Sequence, residues 1–268
     1  MPDLYAVVGN PIAHSKSPQI HAAFARATGQ DMDYVHLLAP LHGFADTLAR
    51  FAAEGGRGCN VTMPFKEQAF ALSTRLAERA AIAGAVNTLA REGNGWRGDT
   101  TDGAGLVADL LRNQAVGIAG RRVLVLGAGG AVRGILQPIL AERPGRLVVA
   151  NRTVERARAL TEVFARYGRV EACATGDLAD RFDLVINAAP AEAAALSSLP
   201  ATLLDEGAFA YDLVYADQPT PFVRWAREHG AAGSADGLGM LVEQAAESFW
   251  LWRGIRPDTG PLFKLLRP

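Results

Sequence analysis

Short apolar runs recur along this chain, separated by polar turns and by segments whose apolar positions repeat at helical spacing. Residues 4–8 read as a buried strand, 18–28 as a helix, 34–38 as a second strand and 43–54 as a second helix. Residues 58–62 lead into a helix starting near Pro64, and 85–89 with 96–98 form a further pair of strands. Alternation at this spacing predicts an α/β layer with helices on both faces. A helix is predicted over 102–113. After a turn at 117–120, strands are expected at 122–126, 146–150, 169–173, 182–187 and 208–212, with helical stretches between them. This sustained alternation predicts a parallel, doubly wound sheet. The segment 238–253 carries Met240, Leu241, Ala245, Phe249 and Trp252 at helical spacing and is expected to return to the first domain. The predicted division is residues 1–102, joined by 238–268, as one domain and 103–237 as a second.

At 268 residues the chain can bury two cores. A formal net charge of −1 leaves no electrostatic footprint for nucleic acid or an anionic membrane, so neither is expected as a partner. Anionic ligands must then be held by local sites. No run approaches the roughly 18 apolar residues needed to span a bilayer, and the first residues lack the basic region of a signal peptide. Cys59 and Cys173 are far apart and show no metal-type spacing. The expectation is a cytoplasmic protein with two structural thiols and no metal.

A more specific signal lies at Gly127-Ala128-Gly129-Gly130-Ala131, which follows an apolar run and opens a helix. Glycines there let a pyrophosphate approach the backbone, and the dipole of the next helix favours its charge. The pattern departs from G-x-G-x-x-G, because Val132 takes the sixth place and the third glycine falls at Gly134; alone it is weak evidence. After the next apolar run the chain reads Asn151-Arg152-Thr153, where an NAD-binding chain usually carries an acid. That acid would bond a free ribose 2′-hydroxyl, whereas an arginine suits a 2′-phosphate. Arg156 lies one helical turn further on, and two guanidinium groups at one phosphate make charge-assisted bonds that NAD cannot. The bland alternative makes both arginines solvated residues on an exposed helix start. We read residues 103–237 as Rossmann-like and the cofactor as NADP(H), which narrows the chemistry to hydride transfer.

Several polar clusters of the first hundred residues fit no packing role. Ser15 and Ser17 precede a helix, Asn60 and Thr62 share one face of an extended segment, and Lys66, Asn87 and Asp102 follow. Hydroxyls, amides, one amine and one carboxylate suit a small polyhydroxylated acid. Together with the segment Ala235-Asp236-Gly237-Leu238-Gly239-Met240 and its continuation to Ala246, these motifs resemble the shikimate dehydrogenase family. The likeness covers essentially the whole chain, in the right order.

The resemblance implies an oxidoreductase acting on a CH–OH group, which uses NADPH to reduce 3-dehydroshikimate reversibly to shikimate on the way to chorismate and the aromatic amino acids. It implies that Ser15 and Ser17 hold the substrate carboxylate. Asn60, Thr62, Asn87, Asp102 and Gln244 would bond ring hydroxyls, with Tyr215 close by. Glu78, Leu213 and Gly237 would join the glycine turn, Asn151, Arg152, Thr153 and Arg156 as cofactor contacts. It also implies a catalytic cleft between the domains, in a family often found as homodimers. The chain departs from the family pattern in three places. Asn187-Ala188-Ala189-Pro190 stands where Asn-Ala-Thr-Ser is usual, Thr100 replaces a more usual Asn, and Ala22 replaces a frequent Asn.

Hydride delivery to a ketone builds negative charge on oxygen, which needs a donating or cationic group and then a proton. Lys66 is the candidate. A cation in the first turn of a helix opposes the helix dipole, so the position has no local stabilising reason. Asp102 has a bland alternative as the N-cap of the helix that follows. We treat the two as one coupled acid–base pair in contact with substrate. His14 has no partner at metal spacing and reads as structural, and His21, His36, His42 and His229 carry no signal. Two rival readings remain: a quinate/shikimate dehydrogenase with broader substrate and cofactor use, and a non-catalytic NADP-binding sensor of the same fold. Arg152 and Arg156 argue against an NAD-preferring version, and Lys66 with Asp102 against the sensor.

Overall fold

Strand β1 (Asp3–Gly9) owes its central place to the buried run Tyr5, Ala6, Val7 and Val8, which leaves neither face for solvent. It pairs in parallel with β2 (Met32–Leu38) on one side and with β3 (Gly56–Val61) on the other. The sheet continues through β4 (Arg75–Leu76), β5 (Thr88–Glu92) and β6 (Gly95–Asp99) in the order β2-β1-β3-β5-β6-β4, with β5 antiparallel to both neighbours. Helices α1 (Ser17–Thr28), α2 (Phe44–Ala53), α3 (Lys66–Leu72) and α4 (Glu78–Ala83) intervene. Phe44, Leu48, Phe51, Phe65 and Ala69 pack with Ala6, Val8, Cys59, Val61 and Leu89 of the sheet in one core. Because β1 and β3 run in parallel, their C-terminal loops emerge side by side, and the Asn10 N–H donates to the Met63 carbonyl at 3.1 Å.

This computed structural model describes residues 1–189 and 196–267. The chain forms two compact units, Met1–Gly105 with Leu241–Pro268, and Leu106–Met240. The sheet above belongs to the first. The sheet of the second comprises β7 (Arg122–Leu126), β8 (Arg146–Asn151), β9 (Glu171–Ala174), β10 (Phe182–Asn187), β11 (Leu204–Asp212) and β12 (Gly233–Ala235). Its order is β12-β11-β10-β7-β8-β9 and every pairing is parallel, which is the doubly wound arrangement with its switch point between β7 and β10. Helix α5 (Asp102–Ala108) precedes β7, α6 (Gly130–Ala141) links β7 to β8, and α7 (Val154–Phe164) links β8 to β9. Val132, Ile135, Leu136 and Ile139 form the buried face of α6 at helical spacing. Helix α8 (Pro221–Glu228) precedes β12, while α9 (Leu238–Arg253) and α10 (Gly260–Leu266) end the chain.

The last segment of α9 belongs to the first unit. Trp252 Nε1 donates to the Leu89 carbonyl at 3.0 Å, and Arg253 Nε donates to Gln30 Oε1 at 2.7 Å. The structure differs from the sequence expectation in detail. The strand expected at 85–89 starts only at Thr88, because Val86 turns its N–H to the Lys66 carbonyl at 3.0 Å. The helix expected over 102–113 is α-helical to Ala108 and closes with a wider π-type turn at Asp109–Asn113. β4, α4, β12 and α10 were not anticipated, since elements of two to seven residues hold too few positions to show a period. Among the described residues, no helix is long and apolar enough to cross a membrane, and no cluster of His, Cys, Asp and Glu is arranged to hold a metal.

Candidate active site

In the first unit, Lys66 opens α3 and Asp102 opens α5, and their side chains meet at 2.5 Å between Nζ and Oδ2. The pair keeps 18% and 10% of its side-chain surface accessible, so it is sheltered yet reachable by a small molecule. Asn87 Nδ2 donates to Asp102 Oδ1 at 2.8 Å and lies within reach of Thr101 Oγ1 at 3.0 Å and Gln244 Oε1 at 3.2 Å. Its Oδ1 accepts the Thr101 N–H and the Thr88 hydroxyl, both at 2.8 Å. The lysine and the two carboxylate oxygens are thus held by groups that are themselves fixed, which leaves the ammonium little freedom to wander.

Asn60 continues this network on β3. Its Nδ2 donates to Ser248 Oγ at 2.9 Å and Thr88 Oγ1 at 3.1 Å, and its Oδ1 accepts the Tyr34 hydroxyl at 2.8 Å. The Tyr34 ring stacks on His21 with centroids 4.2 Å apart and planes 8° from parallel. Burial pushes the Tyr34 phenol well above its ordinary pKa, so it remains a donor to Asn60. Burial likewise lowers His21 to about 3, against a small opposing pull from Asn60, so this imidazole is neutral at physiological pH.

Ser15 lies in the loop leaving β1 and Ser17 opens α1, their hydroxyls 3.1 Å apart. His36 Nε2 approaches the Ser15 carbonyl at 3.0 Å and so buttresses that loop from β2. Thr62 lies directly beyond β3, against Gly9, where an added Cβ would come within 2.5 Å of the Thr62 methyl. Glycine is needed there for the two loops to approach.

In the second unit, the glycine turn sits at the switch point. Gly127 has φ +111°, which favours glycine, and a Cβ there would lie 3.2 Å from the Ala188 carbonyl carbon. Among the described residues, a Cβ on Gly129 or Gly130 would meet nothing within 4 Å, which leaves the start of α6 open. The first turn of α6 carries no acid, and Gly129 offers no side-chain cap. Backbone N–H groups facing open space at the positive end of a twelve-residue helix suit a pyrophosphate. At the end of β8, Asn151 Nδ2 closes on the Thr153 carbonyl at 2.8 Å. Arg152 and Arg156 follow, both exposed, and neither guanidinium has a hydrogen bond or ion pair among the described residues. The residues present therefore fit a dinucleotide bearing an extra phosphate.

A model of the shikimate dehydrogenase substrate binding domain matches residues 7–89, one of shikimate / quinate 5-dehydrogenase matches 109–202, and one of the shikimate 5'-dehydrogenase C-terminal domain matches 237–262. The chain belongs to the shikimate dehydrogenase family. A relative from Alkalilimnicola ehrlichii named shikimate dehydrogenase (NADP(+)) is 58% identical over the whole of both chains. One of the same name from Herminiimonas arsenicoxydans is 55% identical, covering 100% of this chain and 98% of its own. Among solved structures, an Ael1 enzyme from Pseudomonas putida is 44% identical with a TM-score of 0.90, covering 99% of this chain and 98% of its own. Shikimate 5-dehydrogenase from Thermus thermophilus, solved with NADP(H) and shikimate, is 33% identical with a TM-score of 0.86, covering 98% of each chain.

Of the residues that the shikimate dehydrogenase resemblance marked for substrate, Asn60, Lys66, Asn87, Asp102 and Gln244 fall within one hydrogen-bonded network of the first unit. Ser15 and Thr62 lie on the adjoining loops and Ser17 opens α1, whereas Tyr215 lies in the second unit, beyond β11. Glu78 is exposed at the start of α4 in the first unit, and Leu213 and Gly237 abut each other in the second. Pro190, part of one departure from the family pattern, lies outside the described residues. Sequence reasoning missed Tyr34, Thr88, Thr101 and Ser248. Ser248 had a signal, since it stands one helical turn after Gln244 on the same face of α9.

Proposed function

We propose that the chain is an NADP-dependent shikimate dehydrogenase that interconverts 3-dehydroshikimate and shikimate, with the reduction feeding chorismate and aromatic amino acid synthesis. The observation that carries this reading is the Lys66–Asp102 contact at 2.5 Å, set in a network of amides and hydroxyls suited to a polyhydroxylated ring. The relatives named NADP(+)-dependent, and the absence of an acid at the end of β8, support the choice of cofactor.

NADPH, when bound, supplies the hydride for the substrate ketone. The Lys66 ammonium stabilises the charge that develops on the carbonyl oxygen, and the coupled Lys66–Asp102 pair supplies its proton. In the opposite direction the same pair takes the proton from the hydroxyl. Asn87 and Gln244 orient neighbouring hydroxyls, and Ser15 with Ser17 binds the carboxylate. Arg152 and Arg156 hold the 2′-phosphate, and the N–H groups at the start of α6 hold the pyrophosphate. Residues 1–102 with 238–268 would carry substrate and 103–237 the cofactor.

Steady-state assay of shikimate with NADP, followed by NADPH absorbance, tests the reading. Turnover with this pair is expected to exceed that with quinate or with NAD. Faster turnover with quinate and NAD would favour the broader quinate/shikimate enzyme, and binding of NADPH without turnover would leave a sensor.

A further inference from the structure

Asp212 ends β11 and is completely buried, yet among the described residues every group bonded to its carboxylate is neutral. Oδ1 accepts from Asn187 Nδ2 at 3.0 Å and from the Val214 N–H at 3.2 Å, and Oδ2 accepts the Thr220 hydroxyl at 2.6 Å. Burying a carboxylate without a cation is costly, and a position serving packing alone would be better filled by an apolar side chain. Burial raises the pKa of this group, with the three hydrogen bonds opposing it. The question is what three bonds to one acid achieve here.

They lead to two loops. Through Val214, Asp212 folds back the segment that presents Leu213 and Tyr215. In that segment the Leu213 N–H donates to the Asn187 carbonyl at 2.9 Å, and the Val214 carbonyl accepts the Gly237 N–H at 3.0 Å. Through Asn187, the same carboxylate reaches the segment after β10. The Asn187 side chain donates to the Ala189 carbonyl at 3.0 Å and accepts the Ala189 N–H at 3.3 Å. Between them, the Ala188 N–H donates to the Leu126 carbonyl at 2.8 Å, and its carbonyl group packs against Gly127. One acid therefore ties the segment under the glycine turn to the segment carrying Leu213 and Gly237.

We propose that Asp212 is a positioning residue for the cofactor: it sets the backbone beneath Gly127 and the course of residues 213–215, without touching the nucleotide itself. The inference rests on the second unit being the NADP-binding one. A purely structural role would consist of holding the ends of β10 and β11 and, through Thr220, capping α8, where Thr220 Oγ1 accepts the Val223 N–H at 3.2 Å. The two roles differ in what they do to cofactor affinity in protein that stays folded.

The test measures the NADPH dissociation constant by fluorescence, KM and kcat, and the melting temperature for the wild type, Asp212→Ala, Asp212→Asn and Thr220→Val. Asp212→Ala is expected to raise Kd and KM for NADPH about ten- to a hundredfold, the scale of a small displacement of a binding group, with a smaller change in kcat. Asp212→Asn keeps an oxygen for Asn187 and Val214 and should restore affinity to within about threefold. If Asp212→Ala does not fold, Thr220→Val decides, since it keeps the shape while removing the bond to Asp212 together with the cap on the Val223 N–H; severalfold weaker NADPH binding is expected. Folded variants that melt earlier but bind NADPH as tightly as the wild type would overturn the inference alone. A wild type that does not bind NADPH would sink the functional reading and this inference with it.

Discussion

In the first unit the polar side chains of the site are bonded to one another. Asn87 alone reaches Asp102, Thr101, Thr88 and Gln244, and Asn60 reaches Tyr34, Thr88 and Ser248. Around the glycine turn of the second unit the reverse holds. Glycines bare the backbone, and among the described residues no side chain caps α6 and Arg152 and Arg156 have no partners. A group that takes part in chemistry must be held before the substrate arrives, which requires fixed partners. A group that recognises a charged ligand can wait in solvent, because the ligand itself supplies the partner. Substitutions in the first unit should therefore act on turnover and those near the turn on cofactor affinity.

The largest effect is expected at Lys66. Lys66→Ala should lower kcat by about 10²–10⁴, the usual contribution of a positioned acid–base group, with a smaller change in KM. Retention of nearly full kcat in steady-state assays would remove the lysine from the chemistry and break the contrast between the units.

That contrast also explains what could be read from the sequence. The glycine turn and Asn151-Arg152-Thr153 are each a contiguous run at the end of a strand, so local pattern is enough to mark them as candidates. The polar network of the first unit draws Asn60, Lys66, Asn87, Asp102, Gln244 and Ser248 from separate segments, up to 188 positions apart in the Asn60–Ser248 bond. No spacing rule joins such residues, and family likeness alone singled out Gln244. Tyr34 and Ser248 look like ordinary amphipathic positions until the fold brings them against Asn60. Asp212 was invisible for the same reason, because its partners come from three segments.

The next effect concerns the aromatic support behind Asn60. His21 has an ordinary pKa of 6.5 and a folded value of about 3, so between those limits the unfolded chain binds the extra proton. Stability is then full above pH 6.5 and declines as pH falls towards 3, by about 1.4 kcal/mol per unit from this group. Denaturant titrations of the wild type and His21→Phe between pH 7 and 5 check it. The variant keeps a ring for Tyr34 to stack on and should lack that part of the slope; parallel losses in both proteins would exonerate His21.

At the turn, Arg152→Ala should raise KM for NADPH about tenfold, in line with one charge-assisted hydrogen bond, and leave turnover with NADH nearly unchanged. Kinetics with both cofactors decide the matter. Equal damage with NADH would mean that the arginine shapes the loop instead of reading a phosphate.

The smallest effect sharpens the comparison most. Ser248 is fully buried, and its hydroxyl meets Asn60 at 2.9 Å, Thr88 at 2.8 Å, Thr101 at 3.2 Å and the Gln244 carbonyl at 3.1 Å. Ser248→Ala leaves Asn60 Nδ2 two other acceptors, Thr88 Oγ1 at 3.1 Å and the Asn87 carbonyl at 3.3 Å. The loss should be about 1 kcal/mol of stability, read from the denaturant midpoint, because no donor is stranded. kcat should hold to within about threefold, since neither Lys66 nor Asp102 bonds this hydroxyl directly. A fall in kcat as deep as that of Lys66→Ala would show that the hydroxyl chain Ser248–Thr88–Thr101 takes part in the proton's path, and that the network does more than hold its members still.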